Sequence, residues 1–315
     1  MTEPDRIERR RAQRRAVRRR RRVAGLVIVA LVAAVAGAIV GLQSHKAPAA
    51  PPKPPAKART VTVARSHAPV ERCLAPYRVE RAPILEYHVI APAPAGAPFP
   101  LLYVAPTLFA AQMRALAAAG YHAVTLDQLW ANWHQHKRLP CGKPIVVSFD
   151  NGYETQFQYG EPALAKLGWV GVENLQLFGL DWANGGISHH EIRELIGDGW
   201  ELDTQGWNHS DMVTQSTSGL RLQILDARHL LKKWFHQPVN WFCYPSGQYD
   251  PTVIAALKAA GFRGSTTEFW GFAGPQDDPY ALPRMEVHPT QSPSELVADV
   301  AGMAADRPPP DHYIS

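Results

Sequence analysis

Cysteine is scarce in this chain: Cys73, Cys141 and Cys243 are the only three in 315 residues. None stands in a CxxC or Cys/His spacing, which excludes a zinc ribbon, a zinc finger or a thiolate cluster. Outside a reducing compartment one disulfide is permitted. Cys73 with Cys141 is the preferred pair, because each lies just ahead of an expected strand; three unpaired thiols is the alternative. Charge of either sign is missing from residues 23–42, and acid is missing from 43–66. Positive charge is short in everything that follows. Residues 1–22 carry eleven arginines against three acids, and 43–66 add five basic residues. Since the whole chain sums to +5, the part from residue 67 onward comes to about −8. That deficit excludes a basic phosphate-binding face, and with it nucleic acid as a partner.

The arginines have a different use. They run directly into 23–42, twenty residues of Ala, Val, Ile, Leu and Gly. At 1.5 Å rise per residue that length spans a hydrocarbon core roughly 30 Å thick. A basic cluster on the N-terminal flank fixes that side as cytoplasmic. The expectation is a single-pass anchor in the cell membrane with the rest of the chain extracytoplasmic. A cleaved signal peptide near Ala47-Pro48-Ala49 is the competing reading, but the apolar run exceeds the usual 7–15 residues of such a segment. Residues 43–75 form a linker. Its Pro48, Pro51, Pro52, Pro54 and Pro55 make an extended, semi-rigid spacer.

From residue 76 short apolar runs alternate with amphipathic stretches. Strands are expected at 84–87, 123–125, 145–149, 173–178, 200–205, 239–244, 264–267 and 285–287. Helices are expected at 107–119, 162–167, from the capping box at Ser188 and Glu191 to about Gly197, at 220–235, from Asp250-Pro251 to Gly261, and at 292–303. This alternation implies a single α/β domain over 76–304 with a parallel sheet or barrel, and a short tail over 305–315. Chemistry in such a barrel gathers at the carboxyl ends of the strands. Those ends deliver Asp150-Asn151-Gly152, Gln205 with His209, Tyr244-Pro245-Ser246-Gly247, and His288. His189 and His190 share the first turn of a helix, face different ways and read as solvent-exposed. His134 and His136 read as a helix end.

These segments resemble the polysaccharide deacetylases with the NodB homology domain, carbohydrate esterase family 4. Ser148-Phe149-Asp150-Asn151-Gly152 is similar to that family's Thr-Phe-Asp-Asp-Gly. The stretch from Glu201 to Asp211 is similar to its second motif, where two histidines stand four apart. The stretch from Phe242 to Asp250 is similar to its third, and Leu85-Glu86-Tyr87-His88 to its opening strand. The resemblance covers about 80–300 and implies a distorted (β/α) barrel of about seven strands. It also implies a hydrolase that uses a divalent metal, zinc or similar, to remove acetyl groups from N-acetylated glycan. Carried over, Asp150 is the base, the Ser246 N–H an oxyanion donor and His288 the acid, while the metal positions fall on Asn151, Gln205 and His209.

The sequence departs from that pattern at the metal. Asn151 and Gln205 are neutral amides, poorer ligands than carboxylate or imidazole. Asp203, two residues from Gln205 on a strand, shares its face and is the expected substitute ligand. Cys243 stands where many members have an arginine that orients the catalytic Asp, and Arg284 is expected to supply that charge. Trp207 and Tyr244 are the expected sugar contacts. Two functions follow: a deacetylase of peptidoglycan or exopolysaccharide, or a weak or inactive relative that binds the same glycan.

Overall fold

The computed structural model describes residues 79–183, 185–302, 310, 312 and 313. The chain divides into two units, Met1–Ala64 and Arg65–Ser315, and every described residue belongs to the second. The arginine-rich tail, the 23–42 span, the linker and Cys73 lie outside the described residues. Among the described residues, no helix is long and apolar enough to cross a membrane.

Among the described residues nine strands form one sheet: β1 (Ala82–Tyr87), β2 (Tyr121–Ala123), β3 (Lys143–Asp150), β4 (Val172–Leu175), β5 (Glu201–Thr204), β6 (Trp241–Cys243), β7 (Gly264–Trp270), β8 (Phe272–Ala273) and β9 (Leu282–Glu286). Seven of them, β1, β3, β4, β5, β6, β7 and β9, are parallel neighbours in that order. β9 then pairs with β1, in register Leu85 to Met285, and the ring closes. This is the expected seven-stranded barrel, and closure leaves its strands no free edge. The expected strand at 123–125 is not part of the ring: β2 hangs on the outer edge of β3. The short β8 pairs antiparallel with β1.

Strand alternation sorts the side chains into two layers. Facing in, Ile84, Val146, Val172, Trp241 and Leu282 fill the lower, N-terminal part of the barrel. Facing out, Tyr87, Val147, Phe149, Leu175, Phe242 and Met285 pack under the helices. Each such side chain taken from water stabilises the fold by roughly 1.5–3 kcal/mol. The outer layer is covered by α1 (Pro106–Ala118), α2 (Leu126–Gln135), α3 (Glu161–Ala165), α4 (His189–Gly197), α5 (Thr217–Leu220), α6 (Ala227–Phe235), α7 (Pro251–Ala259) and α8 (Pro293–Gly302). The capping box at Ser188 and Glu191 opens α4, and the Asp250 carboxylate accepts from Val253 N–H at the head of α7. The expected continuous helix over 220–235 is interrupted, since the π-helical Arg221–Asp226 joins α5 to α6. A second π segment, Gln156–Gly160, leads into α3. Cys141 is disulfide-bonded, whereas Cys243 is free and buried.

Candidate active site

The inner face turns polar above the apolar layer, and Asp150 at the end of β3 is its centre. The side chain is fully buried, and both oxygens are occupied. The Arg284 guanidinium, from β9, grips them in a fork, Nη1 to Oδ1 and Nη2 to Oδ2, each at 2.9 Å. Oδ1 also accepts from Asn174 Nδ2 at 2.8 Å. Oδ2 accepts from the Cys243 thiol at 3.2 Å and from Gln205 Nε2 at 3.3 Å. Burial alone would raise the Asp150 pKa, but the charge of Arg284, the field of His88 and the hydrogen bonds outweigh it, leaving about 2. Arg284 therefore stands where its charge was expected. A carboxylate near 2 is a weak base, and a water would reach it most easily at Oδ2, whose thiol and long amide donors are the weakest of the five.

The amides at the expected metal positions are bonded to each other. Gln205 must turn its Nε2 toward the Asp150 carboxylate, because an amide oxygen there would face an anion. Its Oε1 then accepts from Asn151 Nδ2 at 3.0 Å. Gln205 thus spends its amide nitrogen on Asp150 and its oxygen on Asn151. Together with His209 this set offers no carboxylate and a single imidazole, a donor set that does not fit zinc. Asp203 does not repair it. It shares the inward face with Gln205, as strand alternation requires, but one layer lower. There Oδ1 accepts from the N–H groups of Asn240 (3.1 Å) and Trp241 (2.8 Å), where β6 begins. Among the described residues one group brings three ligand-type atoms within 4.8 Å of one another: Glu86, His88 and Asp150, all buried. His88 Nε2 lies 3.7 Å from Glu86 Oε1 and 4.0 Å from Asp150 Oδ2. Its carboxylates already share Arg284, which reaches Glu86 Oε2 at 3.0 Å. Burial lowers the His88 pKa to about 4 despite Asp150, and raises Glu86 well above the ordinary carboxylate range.

Asp203 belongs to a lower acid cluster. The Asp127 N–H donates to Glu201 Oε2 at 2.8 Å. The Asp127 carboxylate takes Asn240 Nδ2 (2.7 Å), Trp241 Nε1 (2.9 Å) and Arg263 Nη1 (2.5 Å). Burial raises both Asp203 and Glu201, the latter to about 7, with the Asp127 charge pushing the same way.

Three residues at the mouth hold left-handed backbone without being glycine: Asn151 (φ 75°), His209 (φ 50°) and Ser246 (φ 53°). Non-glycine residues there are uncommon and cost energy, and their clustering at neighbouring strand ends points to a site. The His209 ring is half-buried, and burial lowers its pKa although Asp150 opposes this. The neutral ring keeps a lone pair at pH 7. His288 follows β9, half-buried, and its Nδ1 is buried with no hydrogen-bond partner among the described residues. Trp207 is half-buried against the core. Tyr244 is not a sugar contact. It is fully buried in the outer layer, stacked on Tyr249 at 5.0 Å, and its hydroxyl donates to the Tyr280 carbonyl at 2.9 Å. His190 is exposed as expected, but His189 stacks on Phe235 at 5.2 Å.

Sequence reasoning missed Asn174 and two glutamines, each in a π segment. A π-bulge inserts one residue into a helix, and such bulges recur at functional sites. Gln156 is fully buried. Its Nε2 donates to the carbonyls of His88 (2.8 Å) and Asp150 (2.7 Å), and its Oε1 accepts from Tyr153 N–H (2.7 Å). Gln223, also buried, accepts from the N–H groups of Trp207 (2.8 Å) and Asn208 (3.3 Å) and donates to Asn208 Oδ1 (2.5 Å). Gly206 (φ 88°) makes room for it, since a Cβ there would lie 2.9 Å from Gln223 Oε1. One glutamine holds the loop after β3, the other the loop after β5.

The chain is similar to known proteins in sequence and fold. Residues 137–265 match the family model "Polysaccharide deacetylase". YxkH of Bacillus subtilis (strain 168), named as a polysaccharide deacetylase, is 26% identical over 227 residues, covering 71% of this chain and 77% of its own. Among solved structures the fold is similar to that of the Streptococcus pyogenes deacetylase PplD, crystallised with acetate. The TM-score is 0.65 at 22% identity, over 70% of this chain and 99% of that one. It is similar too to IcaB from Ammonifex degensii, with a TM-score of 0.60 at 20% identity, over 71% and 98%. Over residues 137–265 the chain thus matches the polysaccharide deacetylases, hydrolases that act on carbon–nitrogen bonds, and it is similar to them in fold over about 70% of its length.

Proposed function

We propose that the chain is a single-pass membrane protein whose extracytoplasmic barrel takes N-acetylated glycan of the cell envelope, peptidoglycan or exopolysaccharide, and removes acetyl groups from it. The observation that carries the glycan site is the convergence of Asn151, His209 and Ser246, each in left-handed backbone, over the buried Asp150–Arg284 pair. Asp150, kept ionised by Arg284, is the candidate acceptor of the attacking water's proton. The Ser246 N–H is the donor for the oxyanion, and His288, with a ring nitrogen uncommitted, is the acid for the leaving amine. Anchoring rests on the arginine cluster ahead of 23–42. No step is assigned to a metal, because Asn151, Gln205 and His209 do not fit one.

The hydrogen bond from the Asn151 amide to the Gln205 amide oxygen favours a second reading, a relative that binds the glycan without hydrolysing it. Acetate release from chitopentaose by the full chain separates the two. The first reading expects release, and a fall of about 10²–10⁴-fold in Asp150→Asn at unchanged folding. Binding of the oligomer without acetate would establish the second. A cytoplasm-dependent reporter fused after Ser315 should stay silent, and activity there would overturn the placement.

A further inference from the structure

Two aromatic side chains stand in water on the loop that follows β4. Phe178 is 56% exposed and Trp182 48%, and their rings meet edge to face with centroids 4.7 Å apart. Backbone hydrogen bonds fasten this loop on both sides. Toward the His209 loop, the N–H groups of Leu177 and Phe178 donate to the carbonyls of Gly206 (3.1 Å) and Trp207 (2.7 Å). Toward the Asn151 loop, Ile187 N–H donates to the Gly152 carbonyl (3.0 Å), and Glu154 N–H to that of Gly185 (2.8 Å). Asp181, whose carboxylate pairs with His189, pins the middle. The aromatic pair is therefore borne between the two loops that carry Asn151 and His209. A loop already fixed in place loses little freedom when a ligand settles on it.

Charge narrows the ligand. Residues 176–187 contain one charged side chain, Asp181, and that is the one paired with His189. The loop itself carries no Lys or Arg, and the neighbouring Arg193 directs its charge to Asp181 and the His189 carbonyl, so the rings offer an anionic polymer or an acidic headgroup no cation of their own. A neutral pyranose presents an apolar C–H face to an aromatic ring and hydroxyls to water, which matches two half-exposed rings.

We propose that Phe178 and Trp182 form a second sugar subsite, one that takes a neutral N-acetylated pyranose farther along the same glycan chain. The proposal rests on the glycan reading above and extends it to substrate length: the barrel recognises a chain, not a single sugar. Titration calorimetry on the full chain in detergent micelles, with chitopentaose and with the N-acetylglucosamine monomer, tests it. Phe178→Ala and Trp182→Ala should each weaken pentamer binding about 5–10-fold and leave the monomer unchanged. Trp182→Phe should keep most of the affinity, since it keeps a ring. Both side chains are exposed, so the thermal midpoint should stay within a few degrees. Undiminished pentamer binding by the double alanine variant would overturn the subsite while leaving the glycan reading in place. Failure of the native chain to bind either sugar would overturn both. Equal loss of monomer and pentamer binding, or binding of neutral phosphatidylcholine vesicles that the double variant abolishes, would also overturn it, the latter assigning the rings to a lipid surface.

Discussion

Asp150 and Glu86 at the upper end of the barrel, and Glu201 and Asp203 at its lower end, are all buried carboxylates on one inner surface. They end in different states. At the upper end a fully buried guanidinium lies between the acids, and Asp150 stays ionised with a pKa near 2. At the lower end the cation is Arg263, partly exposed and spent on Asp127, so Glu201 rises to about 7 and Asp203 well above its usual range. Burial opposes charge equally at both ends. The difference lies in how fully a buried cation grips the carboxylate. The two-point fork from Arg284 holds Asp150 ionised, whereas Glu86, which the same guanidinium reaches once at 3.0 Å, is still raised by burial like the lower acids.

The largest expected effect removes that distinction. Arg284→Met leaves Asp150 and Glu86 without their counter-ion and should lower stability by about 3–5 kcal/mol in urea denaturation. A loss below 1 kcal/mol would mean that the upper acids do not depend on Arg284. Next, replacing the upper amides by charged and imidazole ligands should create a site that the native chain lacks. Asn151→Asp with Gln205→His should take up zinc, measured by metal analysis. Zinc at a hundredfold excess over its Kd should add about 2.7 kcal/mol to the variant's stability and little to the native chain's. Stoichiometric zinc in the native chain would show that the amide pair opens to metal.

The smallest effect concerns the lower end. The folded-state pKa of Glu201 lies above its unfolded value of about 4.3, so folding favours its protonated form. That stabilisation is complete below the unfolded value and is lost as pH rises through about 7. Between pH 5 and 8 the native chain should lose on the order of 1–2 kcal/mol from this group, and Glu201→Gln should flatten the slope. The Asp150 contribution runs the other way: it is present above about 4 and lost only as pH falls toward 2. A stability profile that rises between pH 5 and 8 would contradict the lower-end account.

Much of the upper site was legible in the sequence because an apolar run ending in polar residues marks a strand reaching a mouth. That pattern is what puts Asp150, Asn151, Gln205, His209 and Ser246 at strand ends, and asking what replaces the arginine absent at Cys243 leads to Arg284, which bonds Asp150. Tyr244 was misjudged because it was read as a strand end without its parity. Alternation turns Trp241 and Cys243 inward and Tyr244 out. Asp203 was given the right face but the wrong depth, since depth depends on where β6 begins beside it. Asn174 sits in a four-residue strand, Val172-Glu173-Asn174-Leu175, too short and mixed to give it a pattern of its own. Gln156 and Gln223 escaped because a helical reading assumes 3.6 residues per turn, and a single inserted residue is invisible to it.

Those two insertions set how the mouth can change. Each helix carries one residue more than its length along the axis requires, and the surplus is what pushes a glutamine inward to the neighbouring loop. The positions of Asn151 and His209 are thus governed from the outer shell, by the winding of two helices, while the strands beneath keep a fixed register. Sequence change in the loops themselves can then vary the sugar contacts without disturbing the ring of strands, and loss of one residue from either helix would move a whole loop at once.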